Sequence, residues 1–76
     1  MPVGSGEEHA AAFARAGWTR QKRRGRGTHI LLKMRGIPFT ICLPNHREVK
    51  RAVLGKILGQ IGMTETEYRE YYLRKR

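Results

Sequence analysis

Carboxylates are missing from the middle of this 76-residue chain, since residues 9–47 contain no Asp or Glu. The same stretch holds nine basic residues, namely Arg15, Arg20, Lys22, Arg23, Arg24, Arg26, Lys33, Arg35 and Arg47. A surface that is merely kept soluble usually mixes both signs of charge. A block of one sign attracts polyanions and makes their binding salt-dependent, so the charge pattern favours a nucleic-acid partner over a small neutral metabolite.

Cysteine and long apolar runs are scarce as well. The single Cys42 excludes an intramolecular disulfide framework and suits a reducing compartment. No apolar run approaches the ~20 residues that span a bilayer, and residues 1–6 lack a signal-peptide pattern. We therefore expect a cytoplasmic protein with one domain over residues 1–76, in which residues 1–5 and 74–76 are flexible.

Two capping boxes predict helix starts. Ser5 with Glu8 opens a first helix, and Thr64 with Glu67 opens a short C-terminal one, because each hydroxyl and each carboxylate can bond an amide left unpaired at a helix start. His9 is expected on the surface of the first helix. The last helix carries three tyrosines at helical spacing, which indicates a docking face: Tyr68, Tyr71 and Tyr72.

Apolar residues at intervals of three and four predict another helix over residues 49–61, stopped by Gly62. This helix is expected to cover the sheet. Gly55 and Gly59 lie inside it, where they either allow a close backbone approach or only lower helix propensity by ~1 kcal/mol each relative to alanine.

Three strands are predicted between the first two helices. Residues 18–22 form the first, and the basic loop 24–27 connects it to the second as a hairpin. Alternation in the second strand places Ile30, Leu32 and Met34 on one face and His29, Leu31 and Lys33 on the other. The third strand alternates in the same way through Ile37, Phe39, Ile41 and Leu43. Prolines at its other positions, 38 and 44, indicate an edge strand or a strand whose hydrogen-bond ladder is interrupted near its ends.

The element order α-β-β-β-α-α predicts an α+β fold: a three-stranded antiparallel sheet with helices on one face. The other face, which carries His29, stays open to a partner. The missing carboxylates remove the usual general bases unless an acid from the terminal segments folds over the sheet, so histidine is the remaining acid-base candidate. His29, His46 and Cys42 are potential zinc ligands without a recognised spacing, and we predict no metal site.

Histidine beside arginines suits RNA cleavage by attack of a 2′-hydroxyl on the adjacent phosphate. An imidazole can move a proton near pH ~6.5, and guanidinium and backbone N–H groups stabilise the charge of the transition state. That chemistry needs no cofactor. A non-catalytic RNA-binding module could use the same basic face. A DNA-binding fragment ranks lower, because no helix-turn-helix pattern is evident.

Several short motifs follow one another along the chain: Gly17-Trp18, Gly27-Thr28-His29, Pro44-Asn45-His46, the helix with Leu54, Ile57, Leu58 and Gly62, and the cap from Thr64 to Tyr68. Over nearly the whole chain this order resembles the HicA family of mRNA interferase toxins, also called YcfA-like proteins. The resemblance implies a double-stranded-RNA-binding-like fold, here with a short C-terminal helix. It also implies an endoribonuclease that a HicB-type antitoxin neutralises by masking the catalytic face.

The family's Gly-Ser-His motif carries its catalytic histidine, which the resemblance assigns to His29. Thr28 stands where the family usually has serine and retains the hydroxyl, and the basic loop before it is about two residues longer than is typical. We expect His29 to be catalytic and His46 to be a possible helper. The expected RNA contacts are Arg23, Arg24, Arg26, Gly27, Thr28 and Lys33.

Overall fold

The computed structural model describes residues 1–22 and 29–74. Its elements are, in chain order, α1 (Gly6–Arg15), β1 (Thr19–Arg20), β2 (Ile30–Met34), β3 (Ile37–Leu43), α2 (Arg51–Ile61) and α3 (Glu65–Leu73). The predicted order of elements is confirmed. The candidate RNA contacts Arg23, Arg24, Arg26, Gly27 and Thr28 lie outside the described residues, as do Lys75 and Arg76 of the basic tail.

Both predicted capping boxes are present. The Ser5 hydroxyl accepts a hydrogen bond from the backbone N–H of Glu8, whose carboxylate accepts one from the N–H of Ser5. Thr64 and Glu67 repeat the arrangement at the start of α3. Helix α1 ends where Gly17 takes a φ of +106°, a backbone conformation that is unfavourable for residues with a Cβ.

The three strands form one antiparallel sheet in the order β1-β2-β3. Residues Ile30, Leu32, Ile41 and Leu43 are buried on one face, as the alternation predicts. Strand β3 lies at an edge, which confirms the expectation from its prolines. Strand β1 has only two residues and is shorter than the predicted five-residue strand.

An irregularity interrupts the β2–β3 ladder at Lys33. Leu32 pairs with Ile41 and Met34 pairs with Ile37, so three residues of β3 lie opposite the single residue Lys33. Extra residues of this kind bend a strand, increase its twist and redirect nearby side chains. The side chains around Lys33 and Thr40 are therefore set by this irregular pairing.

Helices cover the buried face of the sheet in two layers. Helix α1 packs on β1 and β2, α2 packs on β3, and α3 packs mainly on α1. The largest fully buried apolar side chains are Phe13, Leu32, Ile41, Leu43, Leu54 and Tyr68. Within the described part of the chain, no helix is long and apolar enough to cross a membrane.

Helix α2 begins later than expected, after Lys50, and its side without sheet contact is exposed. Gly62 ends it in the left-handed conformation, with a φ of +73°, as predicted. A Cβ added at Gly55 or Gly59 would meet no described atom within 4 Å. Neither glycine permits a close approach there, so the alternative of lower helix propensity applies to both.

Residues 1–5, which we expected to be flexible, are bonded to the rest of the fold. The backbone N–H of Val49 donates to the Gly4 carbonyl at 2.9 Å, and the Tyr72 hydroxyl donates to the Val3 carbonyl at 3.2 Å. These contacts join the segment before α1 to the start of α2 and to α3.

Candidate functional site

The sheet face opposite the helices carries the residues expected to act on a partner. We call it the open face and define it by Thr19, Gln21, His29, Leu31, Lys33, Thr40 and Cys42. Directly paired residues of antiparallel strands project to the same side, so the pairs Thr19–Lys33 and Leu31–Cys42 identify this face. Lys33 and Cys42 are exposed, and Leu31 and Thr40 are half-buried.

His29 immediately precedes β2 and is half-buried. It continues the alternation of the strand, because the next residue, Ile30, is buried and pairs with Leu43. The predicted position of His29 on the side of Leu31 and Lys33 agrees with this register.

His46 lies beyond the end of the sheet at which His29 is placed. Strand β2 starts where β3 ends, so His29 and the segment that leads to His46 flank one edge of the open face. The carbonyl of His46 accepts a hydrogen bond of 2.9 Å from the N–H of Gly6, which fixes this segment against α1. A Cβ on Gly6 would lie 2.6 Å from the Pro44 carbonyl oxygen, so a larger residue would not fit there.

Lys33 lies four residues after His29 on the same strand, which corresponds to ~13 Å along an extended chain. The two side chains therefore suit different groups of an extended ligand. Lys33 forms no salt bridge with any described residue, so its ammonium is available to an anion.

A shallow depression of about 270 Å³ occupies the open face between His29 and the end of β2. Gln21, Leu31, Lys33 and Thr40 line it. Gln21 extends β1, because its backbone N–H donates to the Leu31 carbonyl at 2.8 Å. Its side-chain amide donates to the Thr19 carbonyl, also at 2.8 Å. Sequence reasoning missed Gln21 and Thr40, although alternation in the first and third strands places both on this face.

All six carboxylates lie in helices or in the turn before α2, and none belongs to the open face. Several of them neutralise basic residues at the helical side. Glu7 of α1 accepts two hydrogen bonds from the Arg20 guanidinium, at 2.6 and 2.9 Å. This contact raises the pKa of Arg20 further above its ordinary value. Glu65 binds Arg69 at 3.1 Å within α3. No carboxylate of the described chain forms a salt bridge with Lys33 of the open face.

Residues 1–22 and 29–74 contain no group of three His, Cys, Asp or Glu side chains placed to hold a metal ion. Cys42 is exposed and pairs with Leu31. The potential ligands His29, His46 and Cys42 are therefore not assembled into a metal site.

His9 is not the surface residue that its position in the sequence suggested. Its side chain is 0 % exposed, and its Nδ1 lies 2.5 Å from the Tyr68 hydroxyl. The Tyr72 ring packs against it with centroids 4.9 Å apart. Burial lowers the pKa of His9, and the charge of Glu8 opposes part of this effect. Burial also raises the pKa of Tyr68. The cluster joins α1 to α3 and lies on the helical side, away from the open face.

Comparisons with known proteins add no assignment. No protein-family model matches the chain, and searches of curated proteins and of solved structures find no match.

Proposed function

We propose that this protein is a small endoribonuclease, the toxin of a type II toxin–antitoxin system, and that it cleaves mRNA in the cytoplasm. We propose further that its three helices and antiparallel sheet adopt the double-stranded-RNA-binding-like arrangement. The observation that carries the proposal is the position of His29, immediately before β2. Among the described residues, the face that it shares has no carboxylate, and its Lys33 forms no salt bridge. The sequence resemblance to the HicA family supplies the named activity.

The proposed reaction is an internal phosphoryl transfer. His29 takes the proton of a ribose 2′-hydroxyl as the 2′-oxygen forms a bond to the adjacent phosphorus. The bond from phosphorus to the 5′-oxygen breaks, and the proton returns to that leaving oxygen from an imidazolium. The products are a 2′,3′-cyclic phosphate and a 5′-hydroxyl, so no cofactor or external water is consumed. His46, beyond the same end of the sheet, is the candidate for the second proton transfer.

The proposed protein partner is a HicB-type antitoxin that masks the face bearing His29. The helices α1 and α2 pack on the other side of the sheet, which leaves the open face available to a second chain. A cation-rich face suits an acidic antitoxin, because complementary charge speeds association and fixes orientation. An adjacent reading frame that encodes a small acidic protein would support this pairing.

A non-catalytic RNA-binding module is the second candidate. The described open face favours it in one respect: it presents a single histidine, whereas cleavage by acid-base catalysis needs two proton transfers. Such a module would use Lys33 and the sheet surface for phosphate contacts alone.

Cleavage assays with His29→Ala separate these functions. Wild type, His29→Ala and the control Cys42→Ser, which changes an exposed residue of the same face, are incubated with mRNA in the presence of a chelator. We expect His29→Ala to cleave ~10²- to 10⁴-fold more slowly, the usual contribution of one acid-base group, and Cys42→Ser to cleave like wild type. The wild-type product should carry a 2′,3′-cyclic phosphate.

Three other outcomes are informative. Undiminished cleavage by His29→Ala would show that His29 takes no part in the reaction. Tight, salt-sensitive binding of RNA that remains intact would identify the binding module. Cleavage that requires an added metal ion would contradict the cofactor-free reaction.

A further inference from the structure

We infer that the depression lined by Gln21, Leu31, Lys33 and Thr40 binds one unpaired base of the RNA, next to the nucleotide held at His29. The inference rests on the proposed function, since it assigns a subsite to the same face. It adds a recognition role for residues that the catalytic proposal does not use.

The lining of the depression combines one apolar side chain with polar groups at its edge. Leu31 is half-buried and lies two residues from His29, a separation of ~7 Å along the strand. The depression, at about 270 Å³, is near the lower limit for small-molecule pockets, which fits a base rather than a larger ligand. Leu31 offers an apolar surface to the face of a base, and the three polar side chains of the lining can bond its edge or its phosphate.

The side-chain amide of Gln21 has a fixed orientation and can bond an additional partner. Its side-chain nitrogen donates one hydrogen to the Thr19 carbonyl, and this bond fixes the orientation of the amide. The amide oxygen and the second N–H then remain without a partner among the described residues. One donor next to one acceptor is the pattern that glutamine uses for bidentate contacts with a base edge. The Thr40 hydroxyl likewise forms no hydrogen bond within residues 1–22 and 29–74.

The irregular pairing at Lys33 contributes to the shape of this site. Three residues of β3 lie opposite Lys33, so Thr40 is displaced from regular cross-strand pairing beside the depression. Irregularities of this kind occur next to binding sites, where they redirect a side chain. Lys33, which has no salt bridge with a described residue, supplies positive charge for the phosphate attached to the bound base. The charge favours a nucleotide over a neutral aromatic ligand.

Binding to 2′-O-methyl RNA tests the inference without cleavage, because the attacking 2′-hydroxyl is blocked. Fluorescence anisotropy compares decamers of A, of C and of U with an abasic decamer that carries the same phosphates. The proteins are wild type, Leu31→Ser, Gln21→Leu and the control Thr66→Ala, which changes an exposed residue of α3. Each is checked for folding by thermal unfolding.

We expect wild type and Thr66→Ala to bind the preferred decamer about tenfold more tightly than the abasic one, the effect of one or two hydrogen bonds with some apolar burial. Leu31→Ser should reduce this ratio to about threefold or less, because the apolar surface is lost. Gln21→Leu should reduce the differences among A, C and U by a similar factor, because the base edge is no longer recognised.

Equal affinity of wild type for the abasic and base-containing decamers would overturn the base site while leaving RNA cleavage at His29 intact. A base preference that survives both Leu31→Ser and Gln21→Leu would also overturn it, since the bases would then be bound elsewhere. If no decamer binds and no mRNA is cleaved, the base site and the proposed function both fail.

Discussion

His9 illustrates how a single residue can be assigned wrongly from local sequence. It lies near the start of the first helix, which suggested a surface position. Its contacts come from Tyr68 and Tyr72, 59 and 63 positions further along the chain, and those positions become neighbours only when α3 packs on α1. The spacing of residues within the first helix does not indicate a contact with a helix so distant in the sequence. The tyrosine spacing did predict a docking face, and Tyr68 confirms it, but it did not reveal which residue docks there.

The burial of His9 predicts pH-dependent stability. Because its pKa is lowered in the fold, the native protein binds fewer protons than the unfolded chain, so the stability contributed by neutral His9 is complete above the unfolded pKa and declines as pH falls through it. We expect the urea midpoint of wild type to decrease from about pH 7.5 to about pH 5.5, across the ordinary histidine pKa of ~6.5.

The matched variant for this prediction is His9→Gln, which keeps a polar group near the Tyr68 hydroxyl and does not titrate. It should unfold at a lower urea concentration than wild type at about pH 7.5, because packing with the tyrosines is altered, and its midpoint should change less with pH. An equal pH dependence in the two proteins would show that His9 is not the group responsible.

At the scale of elements, local rules account for most of the fold. The caps, the stop at Gly62 and the two-residue alternation each depend on neighbouring residues, and all were predicted. The irregular pairing at Lys33 was not predicted. Strand β3 has two extra residues there, and an even number of insertions preserves which side chains point inward. The alternation of apolar and polar residues in the sequence is therefore the same whether or not the two extra residues are present.

The two capping hydroxyls give an element-scale prediction. Ser5→Ala and Thr64→Ala should each destabilise the protein by about 1 kcal/mol, because each removes the acceptor for an N–H at a helix start. Urea unfolding at neutral pH measures the change. Thr66→Ala is the control, since Thr66 is exposed within α3 and forms no capping bond. Equal losses for Thr64→Ala and Thr66→Ala would mean that the cap adds nothing beyond helix propensity.

At the scale of the whole molecule, the fold keeps the carboxylates out of the sheet. The acid-free block from residue 9 to residue 47 includes the entire sheet, while the carboxylates lie in the helices and in the turn before α2. The sequence alone therefore predicts that the sheet carries no carboxylate. It did not predict the depression, because Gln21, Leu31 and Thr40 come from three different strand segments that only the sheet register brings together.

This placement of the carboxylates predicts where RNA lies, and a pair of substitutions tests it. Each phosphate contact contributes about 0.9 to the slope of log affinity against log salt for a duplex and about 0.7 for a single strand. Lys33→Ala removes a cation of the open face that has no salt bridge with a described residue, so we expect the slope for RNA to become shallower by about this amount. Arg69→Ala removes the same formal charge from α3, where Glu65 already binds the guanidinium at 3.1 Å, and the slope should stay close to that of wild type. Since net charge changes equally in both variants, a general attraction would affect both slopes alike, and that result would contradict binding of RNA at the open face.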